Sequence, residues 1–214
     1  MATDLTKLRQ NYALQTLSES DVSPDPIVQF SHWFDEAIDS QVLEPNAFSL
    51  ATATPDGHPS ARTVLLKAFD KTDFVFFTNY ESRKGEELNT NPHAAMLFTW
   101  LDLQRQIRIE GSIEKISTEE SLDYFQSRPR ESQIGAWASP QSRVIEAREL
   151  LEKNQVALVK QYEGVEKLPL PPFWGGYRIK PVWFEFWQGR ESRLHDRVVY
   201  SISKDGWKIG RLAP

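Results

Sequence analysis

Apolar residues recur at helical spacing over the first forty positions of the chain. A loose period over residues 4–17 predicts a first helix. We expect the segment 1–20 that contains it to be mobile, as terminal segments commonly are. Asp25 as an N-cap and Pro26 as the first helical residue predict a second helix. Its apolar stripe consists of Ile27, Phe30, Phe34, Ala37 and Ile38.

From residue 47 the pattern changes to the two-residue alternation of β-strands. The turn Pro55–His58 lies between the runs 47–54 and 60–69 and predicts a hairpin. Ser117 and Glu120 have the spacing of a capping box and predict a helix start. Further strands are predicted over residues 74–78, 94–100, 105–116, 176–179, 182–188, 194–203 and 207–212, and helices over 82–88, 117–127 and 139–162.

The predicted strands outnumber the helices that could connect parallel neighbours, and tight turns join several of them. This balance predicts an α+β fold that is mainly antiparallel β, with a sheet closed or nearly closed into a barrel and helices packed outside it. No stretch has the composition of a linker between domains. We therefore expect residues 21–214 to form a single domain.

Composition narrows the classes of function. The net charge of −5 disfavours a general nucleic-acid binder, because such proteins carry a basic excess. The absence of cysteine excludes disulfides, thiol nucleophiles and cysteine-ligated metals. The histidines and carboxylates show no metal-ligand spacing, so no metal is expected. No apolar run approaches the ~20 residues of a membrane span, and the first residues do not resemble a signal peptide, so we expect a cytoplasmic protein.

The run Arg193–Arg197 contains two arginines and a histidine at alternate positions. In a strand, Arg193, His195 and Arg197 would line one face. Two guanidinium groups flanking an imidazole suit an anionic small molecule, and the aromatic run 183–187 beside them offers surfaces for a planar ring. The alternative is a solvated edge strand whose cations pair with neighbouring carboxylates.

Three further groups of cations suit phosphate. Arg83 and Lys84 follow Ser82 at a helix start, where free N–H groups attract anions; the alternative is an exposed basic turn. Arg62 and Lys67 point to opposite strand faces, and the alternative is surface charge. The third group consists of Tyr124, Arg128, Arg130 and Ser132. The alternative for this group is an ordinary helix end.

The chain lacks a dinucleotide fingerprint, a phosphate-binding P-loop and a serine nucleophile elbow. Several anion sites without a nucleophile or metal favour an enzyme that takes its chemistry from a phosphorylated planar cofactor.

Seven runs occur in the order found in one known family and extend over nearly the whole chain. They are Arg62–Lys67, Phe77–Asn79 with Ser82–Lys84, Ser127–Trp137, Phe173–Gly176, Phe186–Gly189, Arg193–Arg197 and Arg211–Pro214. On these runs the sequence resembles the pyridoxine (pyridoxamine) 5′-phosphate oxidase family.

The resemblance implies an FMN-binding split β-barrel that works as a homodimer, with two sites at the subunit interface. It implies oxidation of pyridoxine or pyridoxamine 5′-phosphate to pyridoxal 5′-phosphate, with O₂ reduced to H₂O₂, in biosynthesis or salvage of the vitamin B6 cofactor. One alternative is a split-barrel flavin oxidoreductase with another substrate. The other is a non-catalytic protein that binds FMN or pyridoxal phosphate.

The resemblance also implies roles for residues. Gln141, Ser142, Trp187 and Arg197 would come from the partner subunit. Phe77 stands where some members have tyrosine, so a contact there comes from its backbone or ring. The residues implied for FMN are Arg62, Thr63, Val64, Leu65, Leu66, Lys67, Phe77, Thr78, Arg83, Lys84, Gln106, Gln141, Ser142, Trp187 and Arg197.

For the substrate, the resemblance implies a phosphate clamp and a pair of residues on the ring. Arg193 and His195 are the implied catalytic pair, which would hold the ring and assist proton movement. Arg9 and Tyr12 match an N-terminal segment that covers the site in some members. The implied phosphate clamp consists of Lys67, Tyr124, Arg128 and Ser132.

Overall fold

The computed structural model describes residues 11–214. Within this range the chain forms five α-helices and nine strands, which confirms the α+β prediction. The helices are α1 Pro26–Asp39, α2 Arg83–Thr90, α3 Thr118–Ser127, α4 Arg130–Ala138 and α5 Glu149–Gln161. The strands are β1 Ala47–Ala53, β2 Pro59–Leu65, β3 Ala68–Phe69, β4 Phe74–Asn79, β5 His93–Trp100, β6 Arg105–Lys115, β7 Trp174–Gln188, β8 Asp196–Ser203 and β9 Gly206–Arg211.

The strands belong to one sheet in the order β2-β1-β5-β6-β7-β4-β3, with β8 paired to β7 and β9 paired to β8. The pairs β3–β4, β4–β7, β7–β8 and β8–β9 are antiparallel. Pro181 interrupts neither of the pairings described for β7, because β4 pairs with it up to Ile179 and β8 pairs with it from Trp183. The two strands predicted over 176–179 and 182–188 are therefore one continuous strand.

The chain divides into two compact units. The first unit contains the described residues 11–49, 95–110 and 181–214, and the second unit contains residues 50–94 and 111–180. The single domain over residues 21–214 and the mobility of residues 1–20 stay predictions.

In the first unit, α1 packs its apolar face into an aromatic core. The Asp25 side chain accepts from the backbone N–H of Ile27, and Pro26 opens the helix as predicted. Phe30 lies 5.2 Å from Phe98 between ring centroids, and Trp33 lies 5.3 Å from Phe186. The predicted stripe is wrong at its end, because Ile38 is 50% exposed while Trp33 is buried.

In the second unit, α3 and α4 cover a separate cluster made of Phe125, Ile134, Leu168 and Trp174. The predicted capping box is confirmed: Ser117 Oγ accepts from the backbone N–H of Glu120, whose carboxylate accepts from the backbone N–H of Ser117.

Three other boundary predictions are wrong. Residues 11–17 are not helical, and the rest of the helix predicted over 4–17 lies outside the described residues. Strand β2 ends at Leu65, so Lys67 follows it and donates its backbone N–H to Val75 O. The helix predicted over 139–162 begins only at Glu149, while α4 was missed.

Candidate active site

The second unit contains a cavity of about 280 Å³ beside β2, β4, α2 and α3. All of its lining residues except Trp174 belong to the predicted site. The lining residues are Thr63, Val64, Leu65, Lys67, Phe77, Thr78, Lys84, Tyr124, Arg128, Gln141 and Trp174.

Lys84 is the buried cation of this cavity. It lies in the first turn of α2, which Ser82 caps by accepting from the backbone N–H of Gly85. Its ammonium donates to Gln141 Oε1 at 3.1 Å and to Thr78 Oγ1 at 3.2 Å, which are both neutral acceptors. Burial, and then the positive charge of Arg62, lower the pKa of Lys84 to about 8. A bound anion strongly stabilises the charged form of a buried ammonium that has no counter-charge.

Two arginines near Lys84 share one buried carboxylate. Glu87 contacts Arg83 Nε at 2.9 Å and Arg62 Nη2 at 3.4 Å, and it also accepts from the hydroxyls of Ser60 and Thr52. Burial works to raise the pKa of Glu87, but the donors and the charge of Arg62 outweigh it and hold the pKa at about 2. Glu87 is therefore a buried, ionised carboxylate and not part of a solvated helix face.

Arg62 and Arg83 are accordingly already paired, and neither lines the cavity. Leu66 is buried and does not line the cavity, and neither do Ser132 and Ser142. Glu87 could have been found from the sequence, because it follows Arg83 by four positions, a spacing that suits an ion pair on a helix.

Arg128 is the second cation that reaches the cavity without a carboxylate partner among residues 11–214. Its guanidinium lies 4.8 Å from the ring centroid of Trp174, and Nη1 is buried without a hydrogen-bond partner among the same residues. Burial lowers the pKa of Arg128. Tyr124, one turn earlier, stacks on Phe77 at 3.9 Å. A phosphate beside these rings would satisfy the open donor.

Gln141 lies in the connection between α4 and α5. Its side-chain oxygen accepts from Lys84 and Thr78 of the same chain. The prediction that Gln141 reaches the site from the partner subunit is therefore wrong. Sequence alone could not reveal this, because the contact joins positions 57 residues apart.

The first unit contains another cavity, of about 290 Å³. Four of its lining residues belong to the predicted site, namely Gln106, Trp187, His195 and Arg197. The remaining lining residues are Leu97, Arg108, Glu185 and Pro214.

Arg193, His195 and Arg197 do not line one face of a strand. Residues Glu191–Arg193 form a 3₁₀ turn, and β8 begins only at Asp196. Ser192 and Arg193 have φ of 55° and 62°, in the left-handed region that breaks strand alternation. His195 and Arg197 line the cavity, whereas Arg193 is exposed and does not.

His195 is held on several sides. Its Nδ1 accepts from the backbone N–H of Arg190 at 3.1 Å, and its ring lies 4.6 Å from that of Trp187. Tyr12 lies edge-on at 5.8 Å, so the part of the N-terminal segment that contains it does approach His195. Burial, and then the charge of Arg193, lower the pKa of His195. Arg9 lies outside the described residues.

Asp196 anchors the N-terminal segment in the first unit. It accepts from the backbone N–H of Leu17 at 3.1 Å, from Arg211 Nη1 at 2.8 Å and from Arg190 Nη1 at 2.9 Å. One carboxylate thus joins the segment before α1, the turn before β8 and the end of β9.

Glu185 fixes the two arginines of the first-unit cavity. Its carboxylate accepts from Arg197 Nε at 2.5 Å and contacts Arg108 Nη2 at 3.2 Å. The hydrogen bond from Arg197 to Glu185 raises the pKa of Arg197. Sequence reasoning missed Glu185. A carboxylate inside the aromatic run 183–187 does indicate a buried ion pair, because a buried charge needs a partner.

Comparison with known proteins assigns the family. A family model described as pyridoxamine 5′-phosphate oxidase matches residues 34–160, more than half of the chain. The chain belongs to the pyridoxamine 5′-phosphate oxidase family. A second model, the pyridoxine 5′-phosphate oxidase C-terminal dimerisation region, matches residues 174–214.

Two curated relatives are named pyridoxine/pyridoxamine 5′-phosphate oxidase. The chain is 55% identical to that of Cupriavidus metallidurans over 213 residues, which cover 99% of this chain and 100% of the relative. It is 57% identical to that of Burkholderia pseudomallei over 215 residues, with the same coverage.

Solved structures of relatives confirm the split β-barrel fold. PhzG from Burkholderia lata, solved with tetrahydrophenazine-1-carboxylic acid, has a TM-score of 0.87 and 33% identity, covering 94% of this chain and 99% of PhzG. A pyridoxamine 5′-phosphate oxidase-related, FMN-binding protein from Nostoc punctiforme has a TM-score of 0.70 and 18% identity, covering 91% and 99%. The second likeness concerns the fold alone.

Family membership supports FMN as the cofactor. The residues present fit such a group, because Lys84 and the open donor of Arg128 suit phosphates and the rings of Phe77, Tyr124 and Trp174 suit planar ligands. In residues 11–214, no helix is long and apolar enough to cross a membrane.

Proposed function

We propose that the chain is an FMN-dependent oxidase that converts pyridoxine 5′-phosphate and pyridoxamine 5′-phosphate to pyridoxal 5′-phosphate, with O₂ reduced to H₂O₂. The observation that carries the proposal is the second-unit cavity, where the buried Lys84 and Arg128 lie beside stacked aromatic rings and have no carboxylate partner among residues 11–214. Two phosphate-bearing ligands with planar rings, FMN and the substrate, match this arrangement. The role would be biosynthesis or salvage of the vitamin B6 cofactor, in the cytoplasm.

Lys84 is the central residue of the proposed FMN phosphate site. Its ammonium is already held by Thr78 and Gln141, so it needs little rearrangement to bind an anion. Arg62 and Arg83, both fixed by Glu87, add positive charge nearby. When bound, FMN supplies the two-electron redox chemistry. The backbone and side chains along the flavin would be those of Thr63, Val64, Leu65, Leu66, Lys67, Phe77 and Ser142.

Arg128 is the central residue of the proposed clamp on the substrate phosphate. Its buried Nη1 lacks a partner among the described residues, and Tyr124 lies one helical turn away on the same face. Lys67 lines the same cavity, and Ser132 follows at the start of α4. The clamp places the substrate by its phosphate, so that its C4′ carbon is left for oxidation.

The first-unit residues would bind the rings. Arg193 and His195 hold the substrate ring, with Arg9 and Tyr12 covering it, while Gln106, Trp187 and Arg197 contact the flavin. The match of residues 174–214 to a dimerisation region supports a homodimer. In that dimer, we propose that Trp187 and Arg197 come from the partner subunit.

One experiment tests the proposal against its alternatives. The protein is purified, tested for the yellow colour of flavin, and given pyridoxine 5′-phosphate or pyridoxamine 5′-phosphate in air while pyridoxal phosphate and peroxide are followed. Formation of both products supports the proposal. A yellow protein that oxidises neither compound would point to another substrate or to a binding protein. Tetrahydrophenazine-1-carboxylic acid is then the first alternative compound to try, given the likeness to PhzG. A colourless protein that gains no activity with FMN would refute it.

A further inference from the structure

His195 accepts a hydrogen bond that cannot change direction. The donor to its Nδ1 is the backbone N–H of Arg190, at 3.1 Å. A backbone amide only donates, so Nδ1 must keep its lone pair while this bond exists. In a histidine, the hydrogen bond made by one ring nitrogen decides which nitrogen carries the proton. We propose that His195 is held as the neutral tautomer protonated on Nε2, and that it meets the substrate as a hydrogen-bond donor and not as a base.

The turn that carries the donor is itself fixed. Gly189 donates its backbone N–H to Gln104 O at 2.8 Å, and the Arg190 side chain pairs with Asp196 at 2.9 Å. A Cβ on Gly189 would lie 2.9 Å from Tyr12 Cβ, so the chain passes too closely here for most other residues. The Arg190 amide is therefore held between two anchors, which keeps it directed at His195.

The surroundings of the ring also favour the neutral form. Protonation of Nδ1 would set its N–H against that of Arg190. The cations nearby are Arg193, which opposes a charge on His195, and Arg190 and Arg197, which are already paired with Asp196 and Glu185. The rings of Trp187 and Tyr12 pack against the imidazole and bring no carboxylate that would pair with an imidazolium.

This inference rests on the proposed function and narrows the role of His195 within it. An Nε2–H group placed on the cavity can donate to an acceptor atom of the substrate ring, such as its hydroxyl oxygen in the ionised form. The same nitrogen has no lone pair available to accept a proton. The expectation that His195 assists proton movement is thereby replaced by a role in binding and charge stabilisation.

The direct test is nitrogen NMR of the FMN-loaded protein, labelled on histidine, at pH 7.5. The chain has four histidines, so comparison with His195→Gln identifies the signals of His195. If that variant does not fold, replacing His32, His58 and His93 leaves His195 as the only imidazole. A proton on Nε2 and none on Nδ1 is expected. A proton on Nδ1, or an imidazolium, would overturn the proposal.

A pair of variants tests the donor role in turnover. His195→Gln keeps an N–H donor but cannot act as a base. His195→Leu can neither donate a hydrogen bond nor act as a base. We expect kcat/KM of His195→Gln to exceed that of His195→Leu by roughly tenfold, the value of one hydrogen bond to a charged acceptor. Equal losses in the two variants would contradict the donor role. The NMR result needs no turnover, so absence of pyridoxine phosphate oxidation would refute the proposed function and leave the tautomer to be judged separately.

Discussion

The two cavities both contain cations, but they differ in what neutralises them. In the second unit, the contacts of Lys84 and Arg128 within residues 11–214 include no carboxylate. In the first unit, Arg197 and Arg108 share the buried carboxylate of Glu185. The second-unit cavity therefore has positive charge available for an anion, whereas the first-unit cavity has arginines fixed in direction with little net charge to offer.

In each unit one buried glutamate pairs with two arginines, but the two glutamates differ in their distance from the cavity. Glu87 holds Arg62 and Arg83 outside the second-unit cavity, and Glu185 lines the first-unit cavity itself. A guanidinium that is already paired through one edge keeps other N–H groups for a ligand and loses less freedom on binding. Glu87 therefore keeps two arginines near the second-unit cavity, whereas Glu185 fixes two arginines within the first-unit cavity.

The largest expected effect comes from breaking the pair in the first unit. Glu185→Ala leaves Arg197 without its carboxylate partner, while Arg108 keeps Glu110. We expect a loss of about 3 kcal/mol in the free energy of unfolding, the lower end of the range for a broken buried pair, because the Arg197 side chain is 25% exposed and remains partly solvated. Glu110→Ala is the matched control, because Glu110 pairs with the same Arg108 at 3.2 Å but is 47% exposed. That variant should cost less than ~1 kcal/mol. Urea denaturation measures both, and equal costs would show that burial of Glu185 does not matter.

The next effect concerns Lys84 of the second unit, whose contacts among residues 11–214 include no carboxylate. Lys84→Met should weaken FMN binding by about 1.5–3 kcal/mol, the range for a hydrogen bond to a charged group. Fluorescence titration measures the dissociation constant, with riboflavin as the ligand that lacks phosphate and the exposed Lys153→Met as the control variant. A similar loss for riboflavin would mean that Lys84 does not bind the phosphate.

Substitution of Arg128 should change the affinity for the substrate and not the affinity for FMN. Arg128→Ala is expected to weaken binding of pyridoxine 5′-phosphate by about 1.5–3 kcal/mol while FMN affinity stays unchanged. Steady-state KM and a direct binding titration measure it. Arg130→Ala is the control, because Arg130 donates to the carbonyls of Tyr162 and Val165 and not to the cavity. An unchanged substrate affinity in Arg128→Ala would remove it from the clamp.

The smallest effect is a dependence of FMN affinity on pH. The pKa of Lys84 in the ligand-free protein is about 8, so the ammonium is charged below this pH and neutral above it. Binding of a phosphate then requires Lys84 to be protonated again, and affinity should fall as pH rises, by about fivefold from pH 8 to 9. The dependence should be absent in Lys84→Met. A flat profile in the unaltered protein would show that Lys84 keeps its charge.

Features fixed by neighbouring residues could be predicted from the sequence. The capping box at Ser117 and the start of α1 at Asp25 are examples, because both depend on positions within one helical turn. Helix α4 was missed because a proline commonly follows the end of a helix, whereas Pro129 is the N-cap of α4 and directly precedes its first residue.

Contacts between distant positions could not be predicted. The burial of Glu87 depends on Ser60 and Thr52, which lie on strands distant in the sequence. The left-handed backbone at Ser192 and Arg193 could not be predicted either, because neither residue is a glycine. The roles assigned to individual site residues came from the family resemblance, and physical reasoning added only which of them share a strand or helix face.

The anchoring of the N-terminal segment by Asp196 has a consequence for how the protein matures. Leu17 and Asp196 are 179 positions apart, and Arg211 comes later still. At the usual speed of translation, roughly 5–20 residues per second, Leu17 is synthesised about 10–40 s before Asp196. Attachment of this segment beside His195 therefore follows completion of β8 and β9, and a newly made chain completes that part of the site last.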